Sequence, residues 1–348
     1  MHRLQRREFL GLGGGLLLAA ATVRDAQAAA KLSIPPAPRA LPQAWLDAPA
    51  LPIWAGDPPD LASFAPQPRQ GIGSPVFLSN VSKPDLHVFR PAKPSGRAVL
   101  VIPGGAYWFV SVANEGVDLA DRLTKLGITV FVLTYRLPGE GWKNRSDVPL
   151  QDAQRAIRVI RAKAGEYAID ADKVSVLGFS AGGHLAATLA TQHEERTYSR
   201  ADSTDDLSAR PFTASLIYPV ITMETPWTHE QSRKLLLGDS PSQAEVERRS
   251  AERHVDGHTP PTFVVHAFDD EAVPVENSLR FMNAMRTAGR PVEAHLLQEG
   301  GHAFGTGYPN TPSAEWVALY SAWLARQTAP CSGRLHRSVH PHPGSPAQ

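Results

Sequence analysis

The feature that most constrains this 348-residue chain is a serine set between two glycines, Gly178-Phe179-Ser180-Ala181-Gly182. It follows KVSVLG (173–178), which reads as a strand, and leads into AGGHLAATLATQ (181–192), which reads as a helix packed through small residues. A strand can pass straight into a helix only through a sharp turn that strains the backbone of the serine. Side chains two positions before and after it would collide across that turn, which accounts for both glycines. The turn lifts the serine oxygen to the carboxyl end of its strand. It also puts the Ala181 N–H at a helix N-terminus, where developing negative charge is stabilised.

Strand and helix patterns alternate on both sides of this turn. Residues 97–102 (RAVLVI), 128–134 (ITVFVLT), 213–218, 262–267 and 292–297 read as strands, and 76–80 and 86–90 as a paired couple. Helical spacing of apolar residues marks 116–126, 148–165, 275–289 and 312–326, with Thr311 as N-cap and Pro312 at the first helical position. Such alternation implies an α/β fold: a mostly parallel sheet with helices on both faces, in one domain over residues 71–326. Residues 228–237 and 242–253 leave room for a small cap and no more. Ligands of such sheets bind at the carboxyl ends of the strands.

A hydroxyl nucleophile needs a base. Of thirteen histidines, His302 stands in EGGHAFG (299–305), a glycine-rich loop just past the last strand, free to curl toward Ser180. His184, four residues into the helix after Ser180, reads as packing, and His266 as a prop for the next loop. The base needs an orienting carboxylate. HAFDDEAVP (266–274) follows the strand 262–267 and offers Asp269, Asp270 and, more weakly, Glu271 at the same rim. IPGGAY (102–107) follows another strand. The N–H groups of Gly105 and Ala106, joined by that of Ala181, are the expected donors to a tetrahedral oxyanion. Tyr107, Trp108 and Trp142 lie in loops near this rim, where flat rings could stack on a substrate sugar.

Other classes are excluded by composition. Lys plus Arg is 35 against 34 for Asp plus Glu, which gives no electrostatic reason to expect nucleic acid as a partner. The single cysteine, Cys331, excludes an intramolecular disulfide framework and a cysteine metal cluster. No metal or organic cofactor is expected. Residues 1–30 read as a signal peptide: a basic start with Arg6-Arg7, a short apolar run at 9–21 and the small-x-small site Ala26-Gln27-Ala28. The arginine pair is similar to a twin-arginine signal, so export by that machinery to the periplasm or medium is expected, without a stable membrane anchor. Proline makes up 31 residues, and fourteen of them lie between Pro35 and Pro94. Residues 31–70 are accordingly expected to be extended, and 327–348 a disordered tail.

The motifs together resemble the α/β-hydrolase superfamily, and within it the secreted acetyl xylan esterase-like and feruloyl esterase-like carboxylesterases with a PGGGY loop. The matching stretches include VIPGGAY (101–107), NEG (114–116), VSVLGFSAGGHLAA (174–187), TFVVHAFDDEAVPVENSLRF (262–281) and EGGHAFG (299–305). The order Ser180, Asp270, His302 is the chain order of that fold. The resemblance implies these three as the triad, with Asp270 chosen over Asp269 because it lies four residues after the strand-ending His266. Ala106 departs from the family's third glycine. The implied activity is cofactor-free hydrolysis of short acyl esters on plant cell-wall polysaccharides or their oligosaccharides. A general short-chain carboxylesterase, or a peptidase or amidase with the same triad, is the alternative.

Overall fold

The computed structural model describes residues 39–68 and 73–328. The expected signal peptide, the prolines before residue 39 and the tail from residue 329 lie outside the described residues.

Ten strands occur in the described chain: β1 (Ala50–Pro52), β2 (Phe77–Leu78), β3 (Asp85–Phe89), β4 (Gly96–Ile102), β5 (Val110–Ser111), β6 (Thr129–Thr134), β7 (Ile169–Phe179), β8 (Ala214–Ile217), β9 (Thr262–Ala267) and β10 (Val292–Leu297). Eight of them form one sheet in the order β1-β3-β6-β4-β7-β8-β9-β10. The six from β6 to β10 run parallel, and β3 runs against both its neighbours. Every residue of β6, β8 and β9 is buried, so both faces of the sheet are covered, as a parallel sheet requires. This is the expected α/β-hydrolase architecture.

The helices are α1 (Gln43–Asp47), α2 (Asp118–Thr124), α3 (Val148–Ala162), α4 (Ser180–Thr191), α5 (Glu230–Leu237), α6 (Gln243–Arg248), α7 (Glu276–Thr287) and α8 (Trp316–Thr328). All twelve residues of α4 are buried. Its glycines and alanines allow that close approach: a Cβ at Gly183 would already press on Pro219. Helix α6 opens with a capping box between Ser242 and Glu245. Helices α5 and α6 fill the 218–262 interval as two short pieces.

Three expectations are corrected. The couple 76–80 and 86–90 does not pair. β2 pairs with β5, and β3 lies between β1 and β6. The stretch 39–68 is not merely extended, since it contains α1, β1 and a 3₁₀ turn at Leu61–Ser63. Trp45, Ile53 and Trp54 in it are buried. The last helix begins as a 3₁₀ turn, Pro312–Glu315, and Thr311 does not cap it with its side chain. Its hydroxyl donates to the Tyr308 carbonyl instead. Helix α8 runs on through residues 327 and 328.

The segment before β2 is stitched to α3. Arg136, with no solvent exposure, forms an ion pair with Asp152 and donates to the Pro59 carbonyl at 2.6 Å. Arg155 donates to the Ile53 carbonyl at 2.8 Å, and Trp54 Nε1 to Asp152 at 2.9 Å.

Candidate active site

Ser180 sits where β7 becomes α4, with a left-handed φ of 50°. That conformation is strained for a residue with a Cβ and is stored at such turns. Both flanking glycines are required. A Cβ at Gly178 would lie 2.2 Å from the Gly182 carbonyl oxygen, and one at Gly182 would lie 2.2 Å from that of Ile102.

The loops after β9 and β10 bring the other two groups to this turn. Ser180 Oγ lies 2.9 Å from His302 Nε2, and His302 Nδ1 lies 2.7 Å from Asp270 Oδ2. The Ala272 and Val273 N–H groups donate to Asp270 Oδ1 at 2.9 and 2.8 Å. His266 Nε2 faces two acceptors, Asp270 Oδ2 at 3.1 Å and the Val273 carbonyl at 3.0 Å, so it carries the proton. Its Nδ1 then accepts from the Ser278 hydroxyl at 2.7 Å. Burial alone would push the Asp270 carboxyl up. The hydrogen bonds from His266 and His302, with the Val273 N–H, outweigh burial and hold it well below the ordinary carboxylate range. Asp269 has a different place: it accepts from the Gly301 N–H at 2.8 Å and ties the two loops together. Glu271 is exposed.

The loop after β4 takes three successive positive φ values, 129° at Gly105, 56° at Ala106 and 60° at Tyr107. Among the described residues, the N–H groups of Gly105 and Ala106 have no acceptor within the chain, and Ala181 lies in the unpaired first turn of α4. Ala106 adopts the left-handed conformation a glycine would take at less cost, and its N–H is retained.

Tyr107 and Trp142 are not the exposed stacking faces the sequence suggested. Tyr107 is 1% exposed, and its hydroxyl donates to His184 Nδ1 at 2.7 Å. His184 Nε2 donates in turn to the Arg249 carbonyl at 2.7 Å. Burial pushes His184 down to about 4, so it is a neutral clamp and no base for Ser180. Trp142 is buried beneath the Arg136 guanidinium. Trp108 stays half-exposed and lines a cavity of about 340 Å³ with Gln67, Pro68, Ser79, Glu140 and Leu235. Ser180 and His302 are not among the lining residues of this cavity, which opens beside the 104–107 loop. Burial pushes the Glu140 carboxyl up to about 7, against the pull of the Asn80 N–H.

Three residues to which the sequence assigned no role join this cluster: Glu115, Tyr218 and Trp316. Glu115 is buried. Its Oε2 accepts the Gly104 N–H at 2.8 Å and its Oε1 the Tyr218 hydroxyl at 2.8 Å. Helix α8 closes the back of the site: Trp316 Nε1 donates to the Gly305 carbonyl at 3.0 Å, in the loop that carries His302.

The BD-FAE family model matches residues 85–285. The chain belongs to the BD-FAE family. The matched stretch holds Ser180 and Asp270, and His302 lies beyond it. The acetylxylan esterase of Xylanibacter ruminicola is 34% identical over 234 residues, 66% of this chain and 45% of that protein. Endo-1,4-beta-xylanase B of Butyrivibrio fibrisolvens is 37% identical over 204 residues, 59% of this chain and 32% of that protein. The chain thus spans less than half the length of either. The crystal structure of an acetyl ester-xyloside bifunctional hydrolase from Caldicellulosiruptor lactoaceticus superposes with a TM-score of 0.68 at 33% identity, over 80% of this chain and 96% of that one. This BD-FAE member therefore has the α/β-hydrolase fold and is similar to proteins of the acetyl xylan esterase type.

Proposed function

We propose that this protein hydrolyses short acyl esters, acetyl groups first among them, on xylan-type polysaccharides or their oligosaccharides, through an acyl-enzyme on Ser180. The observation that carries the reading is the unbroken line from Ser180 Oγ to His302 to Asp270, at 2.9 and 2.7 Å. Ser180 Oγ attacks the ester carbonyl while His302 Nε2 takes its proton. Asp270 holds His302 with Nδ1 protonated and balances the imidazolium. The oxyanion is met by the Gly105, Ala106 and Ala181 N–H groups. His302 then protonates the leaving alcohol, and a water activated by the same ring releases the acid and frees Ser180. Every proton is accounted for by one imidazole, so no metal or cofactor is called for.

The substrate class is supported by the relatives, named for acetylated xylan and xylosides, and by Trp108 on the wall of the adjoining cavity. The test is release of acetate from acetylated xylan oligomers and of ferulate from a feruloylated arabinoxylan fragment by the full chain. Acetate release, lost by a factor of about 10⁴ or more in Ser180→Ala, is expected. Cleavage of simple aryl acetates with neither oligomer turned over would leave the triad standing and refute the carbohydrate substrate. Export by the twin-arginine route belongs to the same reading and rests on Arg6-Arg7 and the short apolar run after it. Retention of the chain in the cytoplasm of a bacterial host with that machinery would refute it.

A further inference from the structure

We propose that Glu115 is a positioning residue that locks the oxyanion loop to the histidine loop through Tyr218, an inference that rests on the esterase reading above.

Glu115 lies in a π-helical turn, Ala113–Val117, that precedes α2. Such turns are rare and are frequently found at functional sites. A carboxylate buried to 3% exposure is costly unless its oxygens are occupied. Here each oxygen takes one donor, and the two donors come from different loops: the Gly104 N–H and the Tyr218 hydroxyl, both at 2.8 Å. Burial pushes the carboxyl up, and these two bonds pull it back.

The contacts continue on both sides. A Cβ placed on Gly104 would lie 2.8 Å from Ser180 Cβ and 3.1 Å from Glu115 Oε2, so the carboxylate stands directly behind the turn that carries Ser180. Tyr218 has a left-handed φ of 36° at the end of β8, a strained position for an aromatic residue. Its ring packs edge-on against His302, with centroids 4.9 Å apart, and its oxygen accepts the Gly305 N–H at 3.1 Å. One path of direct contacts thus runs from Gly104 through Glu115 and Tyr218 to Gly305 and His302.

The oxyanion loop needs such a hold. Two of its three positive φ values fall on residues with a Cβ, Ala106 and Tyr107, and are unfavourable on their own, and its Gly105 and Ala106 N–H groups must be aimed before charge develops. Glu115 fixes the peptide just before them. The same carboxylate, through Tyr218, sets where the base stands. The Gly104 N–H is an obligate donor, and the Tyr218 hydroxyl, which already accepts from Gly305, gives its proton to the second oxygen, an arrangement that a carboxylate serves with both oxygens. An amide of the same shape has one acceptor oxygen and would present its NH₂ to the second donor.

The experiment compares wild type, Glu115→Gln and Tyr218→Phe, with 4-nitrophenyl acetate as substrate and a trifluoromethyl ketone as tetrahedral mimic. Thermal melting and labelling of Ser180 by a fluorophosphonate are followed in parallel. Glu115→Gln is expected to lower kcat by about 10- to 100-fold with KM within about threefold, as for a misaimed rather than absent oxyanion hole. Ketone affinity should fall by the same factor as kcat/KM. Tyr218→Phe keeps the ring on His302 and removes only the hydroxyl, and it should lose kcat in the same way by a smaller factor. The double variant should be little worse than Glu115→Gln, because both cut one path. A folded Glu115→Gln with kcat and ketone affinity within twofold of wild type would overturn the proposal. Should Glu115→Gln not fold, unchanged kcat in Tyr218→Phe would overturn it instead. Wild type that fails to label at Ser180 would refute the serine-hydrolase reading and this inference with it, whereas labelled wild type beside an unimpaired variant refutes the inference alone.

Discussion

Gly182→Ala adds one methyl group at a crowded place in the site. Its Cβ would stand 2.2 Å from the Ile102 carbonyl oxygen, 2.4 Å from that of Pro103 and 2.7 Å from the Pro103 carbonyl carbon. A carbon and a carbonyl oxygen settle no closer than about 3.3 Å, so roughly 1 Å of movement must be found. All three neighbours are main-chain atoms, so no rotamer change can supply it. They end β4 and lead directly into Gly104, Gly105 and Ala106, so the displacement passes to the oxyanion loop. A misplacement of about 1 Å costs about 100-fold in rate, or about 3 kcal/mol of transition-state stabilisation. Overpacking should add a stability loss of about 1–3 kcal/mol. Gly183→Ala is the control. Its Cβ would meet Pro219 Cβ at 2.8 Å, Pro219 Cα at 3.0 Å and the Gly178 carbonyl oxygen at 3.3 Å, none of them in the oxyanion loop, and it should keep activity within about tenfold, since a smaller movement is required. The assay is kcat/KM on 4-nitrophenyl acetate beside urea unfolding. Gly182→Ala with wild-type activity and stability, or Gly183→Ala as the more damaging change, would refute the reasoning.

Asp270→Asn should lower kcat by about 10⁴-fold, because the amide no longer holds His302 with Nδ1 protonated. Asp269→Asn, which only slackens the bond to Gly301, should stay within about tenfold, and the opposite ranking in steady-state assays would exchange their roles. His184 titrates at about 4 in the folded chain against 6.5 for the free side chain. A histidine with a depressed folded value stabilises the native state fully above 6.5 and loses that contribution as pH falls toward 4. The loss is about 3 kcal/mol for this one group. Urea unfolding from pH 7 to 4 should show that slope reduced by about one proton in His184→Gln; an unchanged slope would mean that burial does not hold this ring neutral.

The parallel core and the serine turn were legible because each rests on local pattern. The β-branched runs of β4, β6 and β9 need no partner to be recognised, and a serine between two glycines announces its own turn. What escaped depends on distant partners. β1 is short and ends at Pro52, tolerable only because it lies at the sheet edge, and nothing nearby betrays its pairing with β3. Tyr107 looked like a surface ring because the partner that takes up its hydroxyl, His184, lies 77 residues further on. Asp269 and Asp270 are adjacent and chemically identical, and the residues alone could not separate them. The split comes from His302, 32 positions further on. Glu115 resembled any acidic residue at a helix start. Its burial is set by partners 11 and 103 residues away.

The stitching of residues 39–68 to α3 decides where this enzyme can be cut. The stretch matched by the BD-FAE model begins at residue 85 and ends at 285. A fragment with those ends would lack His302 and Trp316, and would also strand buried charge. Arg136 would lose the Pro59 carbonyl, Arg155 the Ile53 carbonyl, and Asp152 the Trp54 indole N–H, in surroundings where an unmatched polar group costs about 1–3 kcal/mol. The smallest self-sufficient piece of the protein is therefore set by what its arginines hold in place, and it reaches well upstream of the first strand of the family match.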